Sequence, residues 1–91
     1  MQSIIFEGNT CNIYEDWQLK DKILHKNLCK ILKEMQRENP EKGLGKPERL
    51  RYELEGCWSR KLSQYDRLIY KFDEDSIHIF VIGGHYEDLN L

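Results

Sequence analysis

The spacing of apolar residues changes near Pro47 and divides the chain into two parts. In the first part, residues 2–6 are typical of a short strand, and the residues after them follow the three-and-four spacing of amphipathic helices. This pattern predicts a first short helix that begins with Asn12 as its cap and runs through Trp17, and a second helix from Asp21 to Pro40. The apolar stripe of the second helix consists of Leu24, Leu28, Ile31, Leu32 and Met35.

After Pro47 the apolar residues alternate with polar ones, which is typical of β-strands. Four successive strands are predicted, at residues 50–54, 57–63, 67–73 and 76–82. The links between them are short, so neighbouring strands should run antiparallel. The expected fold class is α+β, with an N-terminal strand and a two-helix hairpin packed on a mainly antiparallel, twisted β-sheet in two layers. We expect a single domain over residues 1–91, in which 87–91 form a short acidic C-terminal extension.

Alternation within the strands predicts which side chains share a face of the sheet. The face that packs on the helices should carry Leu50, Tyr52, Leu54, Trp58, Leu62, Leu68, Tyr70 and Phe72. Arg51, Lys61 and Arg67 then point to the opposite face, whereas Arg60 leans toward the core or an edge. Three cations on one face fit either a solvated surface or an anion site, and the pattern alone does not choose between them.

The distribution of charge favours an anionic ligand. Seven of the 14 basic residues but only four of the 16 acidic residues lie between Gly43 and Lys71, so this segment carries a charge of +3 within a chain of net charge -2. Such an asymmetry indicates that a locally basic surface meets a negatively charged partner.

Composition excludes several other classes of protein. Hydrophobic residues at 40% and charged residues at 33% are typical of a soluble globular domain. The apolar run Ile4 to Phe6 is too short for a signal sequence or a membrane span, so we expect a cytoplasmic location and no membrane partner. The cysteines form no CxxC pair and no glycine-rich phosphate loop is present, so no metal and no cofactor are expected.

The residue types around the basic segment suit cleavage of RNA without a metal. That reaction needs a base for the ribose 2'-hydroxyl, cations for the phosphate and an acid for the leaving 5'-oxygen, and glutamate, arginine and histidine can fill these roles in that order. Among the histidines, His85 follows Gly83-Gly84 beyond the last strand, where the backbone can turn at the sheet rim. His25 is better explained as a helix surface residue and His78 as a packed or edge position.

The motifs GKPERLRYELEGCWSRKL, DRLIYKF and a terminal GHY, in this order and spacing, closely resemble the Txe/YoeB family of bacterial toxins in the RelE superfamily. The resemblance spans nearly the whole chain and implies a RelE-like fold. It also implies a ribosome-dependent endoribonuclease that cleaves mRNA in the ribosomal A site and so inhibits translation. The implied partners are mRNA, the ribosome and a cognate antitoxin of the YefM/Phd-like kind, and the resemblance allows a homodimer.

The resemblance implies roles for individual residues. Glu48 occupies the position of the general base, and His85 that of the general acid. Arg67 matches the arginine that stabilises the transition-state phosphate, and Tyr86 the tyrosine that helps to orient the substrate. The expected RNA- and phosphate-binding residues are Lys46, Arg51, Arg60 and Lys61.

The C-terminus departs from the family pattern. EDLNL follows Tyr86, and Gly83 stands where a basic residue is common. Both changes should weaken RNA binding and predict attenuated activity. Two other functions stay open: a non-catalytic inhibitor of the gyrase-inhibitor type on the same scaffold, and a remnant that only binds an antitoxin.

Overall fold

The strands form one five-stranded sheet, with the two helices packed against it. The computed structural model describes residues 2–84. Its elements are β1 (Ser3–Phe6), α1 (Thr10–Lys20), α2 (Lys22–Arg37), β2 (Glu48–Arg49), a 3₁₀ turn (Tyr52–Leu54), β3 (Trp58–Lys61), β4 (Arg67–Phe72) and β5 (Ser76–Ile82). The strand order is β1-β5-β4-β3-β2, parallel between β1 and β5 and antiparallel elsewhere. The predicted α+β class and mainly antiparallel sheet are confirmed.

The main core lies between α2 and the sheet. It contains Leu28, Ile31, Leu32, Met35, Leu62, Leu68, Tyr70, Ile77, Ile79 and Ile82. The predicted cap of α2 is also present, since the Asp21 carboxylate accepts a hydrogen bond from the Leu24 N–H at 3.1 Å. Neither helix within residues 2–84 is long and apolar enough to cross a membrane.

The predicted boundaries of the two helices need correction. α1 begins at Thr10 rather than at Asn12, because the buried Thr10 hydroxyl donates to the Glu7 carbonyl oxygen at 2.7 Å and holds the first turn. α2 ends at Arg37, before Pro40. The Pro40 carbonyl oxygen instead accepts a hydrogen bond from the hydroxyl of Tyr70 at 2.6 Å, in the loop that follows the helix.

The predicted strand over residues 50–54 is wrong. Tyr52 has a φ of 60°, a left-handed conformation that ends the extended chain and starts the 3₁₀ turn. The residue is 89% exposed. Leu50 and Leu54 do not face the helices either. They belong to a second, smaller cluster with Cys57, Ile69 and Val81 on the opposite face of the sheet.

Arg60 connects the loop between α2 and β2 to the rest of the fold. Its Nη1 donates to Glu34 Oε1 at 2.6 Å and to the Leu44 carbonyl oxygen at 3.0 Å, and its Nε donates to the Tyr70 hydroxyl at 3.1 Å. Its Nη2 donates to the carbonyl oxygens of Asn39, Pro40 and Lys42. Burial raises the pKa of Tyr70, so its hydroxyl stays protonated and continues this network.

The burial of Arg60 contradicts its expected role as an RNA- and phosphate-binding residue. The residue is 0% exposed, and its guanidinium is surrounded by protein oxygens. It therefore holds the loop and is not available to an RNA phosphate, although its neighbour Lys61 is exposed.

We predict that Arg60→Met lowers the free energy of unfolding by about 3 to 5 kcal/mol, since it removes one partner of a buried ion pair. Urea unfolding followed by tryptophan fluorescence would measure the change. Lys61→Met is the matched control, because it alters the adjacent exposed residue and should stay within about 0.5 kcal/mol of the wild type. Equal stability of the two variants would contradict the assigned role of Arg60.

The turn between β4 and β5 predicts a dependence of stability on pH. The Asp73 carboxylate accepts hydrogen bonds from the N–H groups of Asp75 and Ser76, both at 2.8 Å, and these lower the pKa of Asp73. The carboxylate charge therefore stabilises the fold above the ordinary aspartate pKa, and this contribution is lost as the pH falls through the lowered value. Asp73→Asn should have a lower melting temperature than the wild type at pH 7, and the two melting temperatures should converge as the pH is lowered. A difference in melting temperature that stays constant with pH would disprove the role of the Asp73 charge.

Candidate active site

Glu48 lies on the face of the sheet that points away from the helices. It pairs with Ser59 across β2 and β3, and Ser59 pairs in turn with Ile69 in β4. Directly opposed residues project to the same side of an antiparallel sheet, so all three share one face. Glu48 is exposed. Its carboxylate is therefore accessible to a ligand.

Lys61 and Arg67 lie in the next row of the same face. The two residues pair directly across β3 and β4, and each is two positions along its strand from the Ser59–Ile69 pair. Two strand spacings and two residues along the strand separate Glu48 from Arg67, which corresponds to roughly 12 Å between their Cα atoms. A carboxylate and two cations thus border one stretch of open sheet.

The Arg67 side chain is held in place by the turn that precedes it. Its Nη1 donates to the carbonyl oxygens of Ser63, Gln64 and Asp66 at 3.0, 3.3 and 3.3 Å. Among residues 2–84, these are the hydrogen bonds of its guanidinium, and all of them use Nη1. The Nε and Nη2 groups make no hydrogen bond within residues 2–84. Their N–H donors lie side by side, which is the geometry that suits two oxygens of a phosphate.

The loop before β2 positions Lys46 and Glu48 through a close backbone contact. The Lys61 N–H donates to the Gly45 carbonyl oxygen at 2.7 Å. A Cβ atom at position 45 would lie 2.6 Å from the Lys61 carbonyl oxygen, and Gly45 has a φ of 77°. Only glycine fits such a site without strain. The loop thereby holds Gly45, the residue before exposed Lys46, against the backbone of Lys61, and β2 starts at Glu48.

The end of β5 lies beside Arg67. The Gly83 N–H donates to the Arg67 carbonyl oxygen at 2.9 Å, and the Arg67 N–H donates to the Gly84 carbonyl oxygen at 3.1 Å. The predicted residues His85 and Tyr86 lie outside the described residues. Gly84 directly precedes His85 in the chain. The described chain therefore ends next to the cation proposed to bind phosphate.

Arg51 is not part of a strand, contrary to the prediction. It is exposed and lies just before the 3₁₀ turn. The two described histidines have other surroundings: His25 packs on Tyr14 with ring centroids 4.8 Å apart, and His78 Nδ1 lies 3.1 Å from a Glu7 carboxylate oxygen. Neither histidine belongs to the row that contains Lys61 and Arg67.

Comparison with known proteins identifies the family of this chain. A family model described as the YoeB-like toxin of the bacterial type II toxin-antitoxin system matches residues 6–86. The chain belongs to the YoeB toxin family. This confirms the resemblance drawn from its motifs.

Individual YoeB toxins agree with this chain over nearly their full length. Toxin YoeB of Escherichia coli strain CFT073 is 36% identical over 83 residues, which cover 91% of this chain and 98% of that toxin. A solved YoeB dimer from Staphylococcus aureus has a TM-score of 0.85 and 33% identity, covering 93% of this chain and 98% of its own. A YoeB-YefM complex from the same organism has a TM-score of 0.84 and 31% identity, covering 94% and 99%.

The structure also reveals residues next to Arg67 that sequence reasoning missed. Asp66 and Ser63 build the turn before Arg67, with the Ser63 hydroxyl donating to Asp66 Oδ2 at 2.8 Å. The spacing of a serine and an aspartate three residues apart is a signal for such a turn. The position of Gly83 is explained as well, since a Cβ there would lie 2.8 Å from Trp17 Cζ2.

We predict that Gly45→Ala destabilises this YoeB family member more than Gly8→Ala does. Both glycines have positive φ, but a Cβ at Gly8 would meet nothing within 4 Å. Gly8→Ala should therefore carry the backbone penalty alone, about 1 to 2 kcal/mol, whereas Gly45→Ala adds a clash with β3. Thermal unfolding of both variants would measure the difference. Equal losses would show that the close approach to Lys61 is not needed.

Proposed function

We propose that this chain is a ribosome-dependent endoribonuclease that cleaves mRNA in the ribosomal A site, inhibits translation and acts in the cytoplasm. Its membership of the YoeB toxin family supports this function. The observation that carries the proposal is the position of Arg67. Arg67 pairs with Lys61 on one side and with Gly83 and Gly84 on the other, on the face that also holds Glu48.

The reaction would proceed by acid–base catalysis without a metal. The Glu48 carboxylate takes the proton of a ribose 2'-hydroxyl, and the 2'-oxygen attacks the adjacent phosphorus. The bond from phosphorus to the 5'-oxygen breaks, and His85 gives that oxygen a proton. The products are a 2',3'-cyclic phosphate and a free 5'-hydroxyl. Arg67 and Lys61 stabilise the negative charge that grows on the phosphate oxygens.

The remaining exposed cations would bind the RNA on either side of the reacting phosphate. Lys46 follows Gly45, whose carbonyl oxygen accepts the Lys61 N–H, and Arg51 lies two residues beyond the end of β2. Lys46 and Arg51 contact flanking phosphates, which makes binding dependent on salt. Tyr86 orients the substrate beside His85.

The proposed protein partners follow from the charge of this face and from the solved relatives. One Staphylococcus aureus relative is described as a complex of YoeB with YefM and another as a YoeB dimer. We propose that an acidic segment of a cognate YefM-like antitoxin docks over Arg51, Lys61 and Arg67, since its carboxylates match the cations that hold RNA. A homodimer is the second proposed assembly.

The catalytic proposal predicts that Glu48→Gln and His85→Gln each lower the cleavage rate by roughly 100 to 10,000-fold, the usual contribution of an acid or base. Arg67→Ala should lower it by roughly 100 to 1,000-fold, the usual effect of removing a group that stabilises transition-state charge. The wild type should cut mRNA in a purified translation reaction, and primer extension would map the cuts. Glu53→Gln and Arg37→Ala are matched controls at exposed positions outside the site, and both should cut at the wild-type rate.

Three outcomes would contradict the proposal. Full cleavage by all three site variants would remove the assigned catalytic roles. Growth arrest that persists after replacement of both Glu48 and His85 would instead indicate a non-catalytic inhibitor, and the absence of any growth arrest by the wild type would indicate a remnant that only binds an antitoxin.

A further inference from the structure

A cavity of about 200 Å³ lies where α2, the loop before β2 and the end of β3 meet. This volume is small for an organic cofactor, whose sites usually measure about 300 to 1,000 Å³. The cavity suits a compact polar group instead. Its lining combines aliphatic side chains with one amide and two lysines: Ile31, Leu44, Leu62, Asn27, Lys30 and Lys61.

The charge of this lining is positive and is not neutralised by acids nearby. Within residues 2–84, neither Lys30 nor Lys61 forms an ion pair, and no carboxylate lines the cavity. Glu34, one turn beyond Lys30 on α2, binds other groups: its Oε1 accepts Arg60 Nη1 at 2.6 Å, and both its oxygens accept the Leu44 N–H. Two cations thus border the cavity without a counter-charge, which favours an anionic ligand.

Hydrogen bonds hold the walls of the cavity in place. Asn27 Nδ2 donates to the Leu62 carbonyl oxygen at 3.3 Å, which orients the amide and leaves its second N–H as a donor for a ligand. On the side of the loop, the Leu44 carbonyl oxygen accepts Arg60 Nη1 at 3.0 Å. An anion would therefore meet walls that are already ordered, which lowers the cost of binding.

Lys61 connects this cavity to the candidate active site. Lys61 pairs with Arg67 across β3 and β4, on the face that holds Glu48, and it also lines the cavity. On its other side, the Lys61 N–H donates to the carbonyl oxygen of Gly45, a further lining residue. The cavity thus lies across Lys61 from Arg67. A strand whose reacting phosphate is bound by Arg67 has the cavity within reach of a neighbouring phosphate.

We propose that the cavity is a second phosphate subsite, in which Lys30 and the Asn27 amide bind an mRNA phosphodiester that flanks the one held by Arg67. This inference rests on the proposed function and extends the RNA path onto α2. Ammonium and amide N–H groups both donate to phosphate oxygens, and the ammonium adds the attraction of a full charge.

The test measures affinity for ribosomes that carry an mRNA with 2'-methoxy in place of the 2'-hydroxyl at the cleavage position, so that binding is separated from cleavage. Lys30→Gln should weaken binding by about 3 to 5-fold, as expected for the loss of one exposed ion pair. It should also reduce the steepness of the salt dependence by about 0.7 in the slope of log K against log salt.

Two further variants of α2 serve as controls. Lys33→Gln removes the same charge from an exposed position of α2 that does not line the cavity, so it should bind like the wild type. Lys30→Arg keeps the charge and should retain most of the affinity. Equal losses in Lys30→Gln and Lys33→Gln would show a general effect of net charge and would overturn the subsite.

Replacement of single mRNA phosphates by uncharged methylphosphonates identifies the phosphate that is bound. At one linkage next to the cleavage position, this change should weaken binding of the wild type but have no further effect on Lys30→Gln, because both changes remove the same contact. If no mRNA linkage couples to Lys30, the proposal is wrong, and a loss of affinity in Lys30→Gln then reports a contact with ribosomal RNA.

The outcomes separate the subsite from the proposed function. If the wild type cleaves unmodified mRNA and Lys30→Gln binds as tightly as the wild type, the subsite fails and the proposed function stands. If the coupling to one linkage is found but the wild type does not cleave, the subsite stands and the catalytic function fails. Absence of any binding of the wild type to these ribosomes would overturn both.

Discussion

A buried guanidinium is tolerated only when protein oxygens replace the water it has lost, and Arg60 meets this condition. Its partners are the Glu34 carboxylate, the Tyr70 hydroxyl and four carbonyl oxygens of the loop after α2. The carbonyl oxygens of an irregular loop have no hydrogen-bond donor from a helix or a sheet. The Arg60 guanidinium therefore supplies the donors that secondary structure supplies elsewhere. This one side chain contacts α2 through Glu34, the sheet through Tyr70 and the loop that leads to Glu48, and it ties the loop to the other two.

The position of the candidate site follows from that constraint. The anchored loop continues into Gly45, whose carbonyl oxygen accepts a hydrogen bond from the Lys61 N–H, and three residues later β2 presents Glu48 beside β3. The pairing of β3 with β4 then connects this strand to Arg67, and backbone hydrogen bonds connect Arg67 to the end of β5. A site built on hydrogen-bonded strands keeps its spacing, since no long flexible linker separates its members.

The two faces of the sheet serve different purposes. The helix side is filled by aliphatic and aromatic residues of α2, β4 and β5. On the other side, Leu50, Cys57 and Ile69 form a small cluster under the 3₁₀ turn. Ile69 of this cluster pairs with Ser59, and Lys61, two residues further along β3, is exposed.

The sequence by itself determined the α+β class, the helix α2 with its Asp21 cap, the strands β4 and β5, and the family motifs around Glu48, Arg67 and His85. These features depend on local periodicity and local turns, which neighbouring residues encode directly. Only the tertiary structure decided that a 3₁₀ turn begins at Tyr52, that Arg60 is buried while Lys61 is not, and that Asp66 reaches Gly84. Those outcomes depend on partners far along the chain, such as Glu34 for Arg60, and the alternation of apolar and polar residues carries no information about such pairs.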